Sequence, residues 1–199
     1  QFTSKYNELN FFVNNTNFYS FNALINKNVD CALLFGPTKS GKSFLGQLWL
    51  KKNNCIQYLN NFEQVINSNQ NVLIDNFLSC NQEKIFYLIN NCIMHKLKIL
   101  IISDKKINEI KFKYKDLSSR LKTFNFLEIE TPNDEMLLTI LTKLLIDKQF
   151  IIKTNDIFDY ILRRVDRSYE GIHKIVNKLD VLSLQKKRQL TIPLIKEIL

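Results

Sequence analysis

The residues best suited to chemistry form one short stretch, Gly36-Pro37-Thr38-Lys39-Ser40-Gly41-Lys42-Ser43. It matches the pattern G-x-x-x-x-G-K-[ST], whose glycines let the backbone turn tightly and present N–H groups to phosphate oxygens. Lys42 can reach the β- and γ-phosphates of a nucleotide, and the Ser43 hydroxyl can ligate Mg²⁺. The chain has only four glycines, and this stretch uses two of them. We therefore predict a loop that binds the phosphates of an adenine or guanine nucleotide.

A second stretch with chemical potential is Val72-Leu73-Ile74-Asp75, an apolar run that ends in a carboxylate. A carboxylate at the end of a strand beside a phosphate-binding loop holds Mg²⁺, and Asp75 would do so through water. The alternative for Asp75 is a turn residue that follows a strand. The next position is Asn76, whose neutral side chain cannot accept a proton from an attacking water. We therefore expect weak intrinsic hydrolysis.

Three further polar residues could sense the phosphates. Ser103 and Asp104 end the apolar run Lys98–Ile102, where a polar side chain could probe the γ-phosphate. Arg120 precedes the last predicted strand and could reach a neighbouring protein's phosphate as an arginine finger. Arginine suits that role because its charge persists and its fork binds phosphate at two places. The residues alone favour a solvated helix charge at this position.

Short apolar runs alternate with helical patterns, which indicates a parallel α/β sheet covered on both faces. Helices are predicted over Lys42–Lys52, with Phe44 on its apolar face, and over Gln82–Lys96. The five predicted strands are Cys31–Phe35, Cys55–Leu59, Asn71–Asp75, Lys98–Ser103 and Phe126–Glu130. The first strand and the first helix flank the phosphate loop, and this context disfavours an accidental match. Phe44 joins the loop in the predicted nucleotide-binding set.

The pattern changes after Thr131-Pro132, because proline removes an N–H and disfavours helix at the residue before it. Asn133 can cap a helix that carries Met136, Leu137, Ile140, Leu141, Leu144 and Leu145 as its buried stripe. Further helices are predicted near Thr154–Val165, near Arg167–Gln185 and after Thr191. We expect a P-loop α/β core of five parallel strands at residues 1–131 and a small all-α lid at residues 132–199.

Bulk composition sets the class of protein. Of the 199 residues, 45% are apolar and 24% are charged, as in a soluble globular protein. No apolar run approaches the ~20 residues that span a bilayer, so we expect a cytoplasmic protein without membrane contact. The cysteines Cys31, Cys55, Cys80 and Cys92 form no C-x-x-C pair. We interpret Cys31, Cys55 and Cys92 as buried thiols rather than zinc ligands.

The net charge of +9 has two explanations. One is contact with nucleic acid or an acidic partner. The other is the coding bias of an AT-rich genome. The abundance of Asn, Ile and Lys indicates such a bias, which makes lysine a generic surface residue. We favour the second explanation because the lysines are spread along the chain rather than clustered.

Taken together, these residues resemble the DnaA-related AAA+ family, and within it the Hda group of regulatory inactivators. The resemblance rests on Gly36–Ser43, on Asp75, on Asp116–Arg120 and on the tail. In the tail, Lys178–Ser183 and Lys187–Pro193 resemble the end of the Hda lid. The resemblance implies ADP or ATP with Mg²⁺ as the bound group and DnaA as the partner. It further implies that DNA is met only indirectly, and it allows a homo-oligomer.

Carried over by position, the resemblance assigns roles to two arginines. Arg120 matches the family's arginine finger, which acts in trans on the partner. Arg167 falls where the lid's sensor-2 arginine would contact the bound nucleotide; the alternative is a charge in the first turn of a helix. Hda-type proteins also dock on the DNA polymerase sliding clamp through an N-terminal motif. Gln1-Phe2 fits that motif, while Ser4 and Lys5 depart from it.

The implied function is negative regulation of chromosomal replication initiation. The chain would bind ADP or ATP and stimulate ATP hydrolysis by DnaA in trans through Arg120. The alternative is a DnaA-like or helicase-loader ATPase, or an adaptor, that acts on DNA. The sequence ends at Leu199 without a helix-turn-helix domain, so we expect none of the base contacts that such a domain makes.

Overall fold

The computed structural model describes residues 7–27, 29–152 and 154–199, apart from the side chain of Leu9. Five strands form one parallel sheet in the order β2-β3-β4-β1-β5. They are β1 Cys31–Phe35, β2 Cys55–Gln57, β3 Asn71–Ile74, β4 Ile99–Ser103 and β5 Asn125–Glu128. The predicted five-stranded parallel sheet is therefore confirmed.

The pairing register explains how the sheet positions the candidate site. β1 lies between β4 and β5, with Phe35 opposite Ser103 and Glu128. β3 pairs with β4, with Ile74 opposite Ile101. Parallel strands end at the same edge, so the residues that follow β1, β3 and β4 emerge side by side. In open α/β sheets this carboxyl edge is where ligands bind.

Burial accounts for the strand sequences. Leu33, Leu73 and Ile101 are fully buried, which is why the strands are apolar runs rather than alternating patterns. The second predicted strand was too long: it ends at Gln57 rather than Leu59. Asn60 adopts a left-handed conformation with φ 64°, and the Asn61 side chain accepts the N–H of Leu59 at 2.7 Å, so the chain turns there.

The α-helices between residues 18 and 121 are α1 Phe18–Phe21, α2 Lys42–Lys52, α3 Phe62–Ser68, α4 Gln82–Met94 and α5 Lys115–Leu121. A π-helical turn over Asn22–Asn26 continues α1. α2 begins and ends where the sequence predicts, whereas α4 stops at Met94 because Lys96 turns left-handed, with φ 55°. α2 packs tightly on the sheet: a Cβ added at Gly46 would lie 2.6 Å from Ile102 and 3.3 Å from Leu73.

The chain divides into two compact units. One contains the residues up to Pro37 with Gly41–Glu130, and the other contains Thr38–Ser40 with Thr131–Leu199. The second unit is helical, with α6 Asp134–Asp147, α7 Asp156–Leu162, α8 Tyr169–Lys186 and α9 Ile192–Lys196. Asn133 caps α6 and Thr191 caps α9, at the positions that the sequence predicts. Leu141, Leu145, Ile161 and Leu179 are fully buried in its core.

The described residues also show whether this part of the chain has a membrane-spanning helix, a cluster of metal ligands or paired cysteines. In this part of the chain no helix is long and apolar enough to cross a membrane. Nor do three His, Cys, Asp or Glu side chains of the described residues come together in a way that could hold a metal ion. All four cysteines are free. Cys92 is buried, but Cys31 and Cys55 are only partly buried, so the expectation of full burial was wrong for those two.

Candidate nucleotide-binding site

The predicted phosphate loop connects the end of β1 to the start of α2, and two of its backbone positions require glycine. Gly36 has φ +155°, and a Cβ added there would lie 2.4 Å from the carbonyl oxygen of Ile129. Gly41 has φ +91°, and its Cβ would lie 3.0 Å from the Phe11 ring. Side chains at either position would be strained by conformation and excluded by space. The glycines therefore set the course of the loop.

Lys42 is the central charge of the loop. Its side chain is buried, and its Nζ donates to the carbonyl oxygens of Gly36 at 2.9 Å and Pro37 at 2.6 Å. The same Nζ lies 2.8 Å from Oδ1 of Asp104. A buried ammonium is tolerated only when oxygens surround it, and these three oxygens supply that surrounding. The positive charge is thereby fixed inside the loop.

The loop residues fit a bound anion by two further observations. Helix α2 has no acidic residue in its first turn, and among the described residues no side chain caps its N-terminus. The hydroxyl of Ser40 is buried without a hydrogen-bond partner among the described residues. Ser43, the predicted Mg²⁺ ligand, is exposed at the start of α2. Donors, positive charge and a free hydroxyl at one turn suit nucleotide phosphates with Mg²⁺.

Asp75 follows β3 at the same edge of the sheet and is partly exposed. Its Oδ1 accepts the N–H of Asn76 at 2.8 Å. Asn76 is exposed and left-handed, with φ 56°, and its carbonyl oxygen accepts both the N–H and the hydroxyl of Ser79. Asparagine tolerates this conformation because its side chain is short and polar. Asp75 thus has a turn role in the structure, and its role toward Mg²⁺ stays a prediction.

The two residues predicted to sense the phosphates behave differently. The hydroxyl of Ser103 donates to the carbonyl oxygen of Lys105 at 2.9 Å and accepts the N–H of that residue at 3.1 Å. Ser103 is buried and closes a turn. Asp104 is exposed and pairs with Lys42. Of the two, Asp104 is the residue in direct contact with the loop.

Arg120 lies in the last turn of α5 and is exposed. Leu117 and Leu121 of the same helix are fully buried, so the buried face of α5 fixes the direction of its exposed face. Asp116 stands one turn before Arg120. Within residues 7–27, 29–152 and 154–199, no carboxylate forms an ion pair with Arg120, and no hydrogen bond joins its side chain to the phosphate loop.

Arg167 belongs to the helical unit and immediately precedes the cap of α8. Ser168 caps that helix by accepting the N–H of Gly171 at 2.9 Å and donates to the Asp166 carboxylate at 2.7 Å. A Cβ at Gly171 would lie 2.2 Å from the carbonyl oxygen of Asp166, so this turn is tight. The exposed guanidinium of Arg167 pairs with Asp134 at the start of α6. Its predicted contact with the nucleotide stays a prediction.

One residue at the loop was missed by the sequence reasoning. The Phe11 ring stacks against Phe21 at 5.7 Å and Phe44 at 5.8 Å between ring centroids, and a Cβ added at Gly41 would lie 3.0 Å from it. No local pattern marks this contact, because it joins an irregular N-terminal segment to the start of α2. The predicted clamp motif at Gln1-Phe2 lies outside the described residues.

Comparisons with known proteins agree with this architecture. Residues 134–199 match the family model of the Hda lid domain. An uncharacterised protein of Haemophilus influenzae is 29% identical over 104 residues, which are 52% of this chain and 45% of that relative. The chain thus matches less than half the length of that relative.

Solved structures are similar over nearly the whole chain. Domain III of the Thermotoga maritima replication initiation protein DnaA superposes with a TM-score of 0.80 at 16% identity, covering 99% of this chain and 96% of that one. AMPPCP-bound DnaA from Aquifex aeolicus gives 0.69 at 18% identity, covering 92% of this chain and 67% of that one. At such identities the similarity establishes the fold.

The parallel sheet, the phosphate loop after β1 and the C-terminal helical unit give this chain the same fold as domain III of DnaA. The family-model match relates the C-terminal helical unit, over residues 134–199, to the Hda lid domain.

Proposed function

We propose that this chain is a negative regulator of chromosomal replication initiation. It binds ADP or ATP in its own phosphate loop, docks on ATP-bound DnaA and stimulates hydrolysis of the ATP that DnaA holds. The lid match at residues 134–199 and the DnaA-like fold support the relation to the initiator. Nucleotide binding is supported by the loop geometry and by the AMPPCP-bound DnaA of Aquifex aeolicus.

The observation that carries the proposal is the exposed Arg120, which forms no ion pair with any described residue and lies on a helix anchored by two buried leucines. In trans, its guanidinium would donate to the oxygens of a phosphoryl group that gains charge during transfer. A positioned arginine of this kind speeds phosphoryl transfer by ~10³ or more. The anchoring by Leu117 and Leu121 matters because an arginine must be held in place to give that effect.

The chain's own nucleotide has a different role in this proposal. Asn76 offers no carboxylate to activate water, so the bound nucleotide is hydrolysed slowly. Its role is to hold the protein in one conformation. Lys42 and the N-terminus of α2 hold its phosphates, and Arg167 contributes from the lid. Mg²⁺, held by Ser43 and through water by Asp75, neutralises phosphate charge when it is bound.

Three contacts complete the proposal. Gln1 and Phe2 dock on the polymerase sliding clamp, which brings the chain to replicating DNA. Through the clamp and DnaA the chain meets DNA indirectly. The docking mode that presents Arg120 to DnaA would also allow two copies of this chain to associate. Retention of the chain on immobilised clamp, lost in Gln1→Ala, tests the first contact.

The test of the central step is ATP turnover by DnaA with and without this chain, clamp and DNA. We expect the parent to stimulate turnover and Arg120→Ala to lose at least about 10³-fold of that stimulation. Arg163→Ala is the matched control, because Arg163 is also exposed near the end of a helix and has no assigned role. If Arg120→Ala stimulates as well as the parent, the finger proposal is wrong.

A second candidate function is an ATPase or adaptor that acts directly on nucleic acid, as a helicase loader does. The observation that favours it is a concentration of basic residues beside β4. This function and the first differ in a simple way, because the first requires DnaA and the second does not. ATP turnover by the isolated chain that nucleic acid stimulates in the absence of DnaA would support the second function.

A further inference from the structure

Residues 105–122 hold a large share of the chain's positive charge. They contain seven basic and two acidic residues, a net charge of +5 out of +9 for the whole chain. The lysines are therefore clustered here, and the expectation that they are spread along the chain was wrong for this segment. The centre of the cluster is Lys111-Phe112-Lys113-Tyr114-Lys115, in which lysines alternate with aromatic residues. We call Lys111, Lys113 and Lys115 the lysine strip.

Packing gives the strip its outward direction. Phe112 and Tyr114 are half-buried and pack against the hydrophobic core below the sheet. Phe112 lies 6.4 Å from Phe77 between ring centroids. All three lysines of the strip are exposed. The aromatic residues thus anchor the segment from below and leave the charges at the surface.

Gln82 fastens the backbone of the strip. Its side-chain oxygen accepts the N–H of Lys113 at 2.8 Å, and its side-chain nitrogen donates to the carbonyl oxygen of Lys111 at 3.2 Å. Gln82 is the first residue of α4, so the strip is tied to a regular element of the fold. An irregular segment that is held at both ends of a tripeptide, here Lys111–Lys113, loses less freedom when it binds a partner.

The charges of the strip are not neutralised within the protein. In the parts of the chain that the structure describes, no carboxylate lies within ion-pair distance of the strip's lysines. Of the two acidic residues in the segment, Glu109 accepts the backbone N–H of Lys106, and Asp116 is exposed one residue after the strip. Lys113 lies over the Tyr114 ring at 5.5 Å, a contact that leaves its charge intact.

We propose that the lysine strip binds the phosphate backbone of nucleic acid without sequence preference. Backbone binding requires positive charge and little else, and lysine supplies a point charge suited to phosphate. An acidic protein partner would need an exposed aromatic or aliphatic anchor at the centre of its interface. Phe112 and Tyr114 pack against the core, so the strip itself offers charge without an aromatic anchor, although the exposed Leu78 lies near Lys111.

This inference is independent of the first proposed function, the regulation of DnaA, and rests on the same basic residues that favour the second candidate. It concerns residues other than Arg120, and it can be tested without DnaA. If both are right, the regulator holds nucleic acid directly while it acts on its partner. The failure of one leaves the other unaffected.

The test is fluorescence anisotropy of short labelled oligonucleotides, single-stranded and double-stranded, with the full-length chain. The strip variant is Lys111→Gln with Lys113→Gln and Lys115→Gln. The control variant loses the same charge at three other exposed lysines, Lys27→Gln with Lys178→Gln and Lys196→Gln. Nucleotide affinity, measured on each variant, reports that the fold is retained.

We expect the parent to bind both oligonucleotides, with affinity that falls as salt rises from about 50 to about 200 mM. The strip variant should bind at least about tenfold more weakly than the control variant. Its plot of log affinity against log salt should be shallower by about 2 for single strands and about 2.7 for duplex, the values for three lost phosphate contacts. If the strip variant loses more affinity for one oligonucleotide than for the other, the first is the form of nucleic acid that the strip binds.

Three outcomes would overturn the proposal. The first is the absence of binding by the parent at low salt. The second is equal weakening in the strip and control variants, which would assign binding to net charge alone. The third is unchanged nucleic-acid binding by the strip variant together with loss of an acidic protein's binding, which would assign the strip to a protein partner.

Discussion

The ammonium of Lys42 and the carboxylate of Asp104 lie 2.8 Å apart, across the gap between the phosphate loop and the end of β4. The register of the sheet creates this contact, because Phe35 stands opposite Ser103 and the next residues leave the two strands side by side. A negative charge is thus placed beside the lysine that is proposed to meet phosphate. We therefore expect a residue outside the loop to set part of the loop's affinity for nucleotide.

Replacing Asp104 should strengthen nucleotide binding. Asp104→Asn removes a negative charge that competes with phosphate for Lys42 and repels phosphate as well. Since the Asp104 side chain is 53% exposed, water screens the effect. We expect ADP affinity to rise by only about two- to fivefold, in line with about 0.5–1 kcal/mol for such pairs. Isothermal titration calorimetry measures it, with Glu109→Gln as the control; weaker binding by Asp104→Asn would contradict this explanation.

The first glycine of the loop should tolerate no side chain. In Gly36→Ala the new Cβ meets the backbone oxygen of Ile129 at 2.4 Å, and neither backbone can move aside without disturbing β1 or β5. We expect the free energy of unfolding to fall by about 1–3 kcal/mol and nucleotide binding to be lost. Urea denaturation measures the first effect. Ser119→Ala, an exposed change on α5, should alter stability by no more than about 0.5 kcal/mol.

Ser168, the N-cap of α8, should contribute more to stability than the ion pair formed by its neighbour Arg167. Ser168→Ala removes the acceptor for the Gly171 N–H and should cost about 1 kcal/mol. Arg167→Ala removes an exposed pair with Asp134 and should cost less than about 0.5 kcal/mol. Thermal or urea unfolding of the two variants side by side decides the order. A larger loss in Arg167→Ala would mean that the arginine has a structural role.

Stability should fall at alkaline pH partly because of one thiol. Burial, with a smaller effect from Cys31, raises the pKa of Cys92 to about 12. An unfolded cysteine ionises near pH ~8.5, so above that pH the unfolded state loses a proton that the folded state keeps. The contribution of Cys92 is thus complete below pH ~8.5 and is lost as the pH rises toward its folded value. Cys92→Ala should therefore show a shallower decline of unfolding free energy from pH ~9 to ~11 than the parent; identical slopes would refute the assignment.

Much of the fold could be predicted because its signals are local. The strands are buried on both faces, so they appear as apolar runs, and the phosphate loop is a contiguous pattern with fixed glycines. Asn133 and Thr191 mark helix starts through their own side chains. Each of these features is set by residues within a few positions of one another.

The features that escaped prediction depend on distant residues or on polar segments without periodicity. The N-terminal segment is rich in asparagine and shows no clear apolar stripe, and α3 is so short that its apolar residues Phe62, Val65 and Ile66 do not recur over a second turn. The contact of Phe11 with Gly41 joins positions thirty residues apart. The pairing of Lys42 with Asp104 follows from strand register, which the sequence leaves open. The direction of the lysine strip depends on its packing against Phe77, which no local pattern reports.

The four glycines of this chain are all places where a methyl group would collide with another atom. At Gly36, Gly41, Gly46 and Gly171 the nearest contact would be 2.4, 3.0, 2.6 and 2.2 Å. Left-handed bends elsewhere in the described residues are made without glycine, at Asn54, Asn60, Asn69 and Asn76 and at Lys39, Lys96, Gln149 and Lys187. A left-handed bend alone therefore does not call for glycine in this chain. Each glycine stands where a side chain would have to displace a neighbouring atom, so these four positions accept a bend-forming residue such as asparagine only if that neighbour moves.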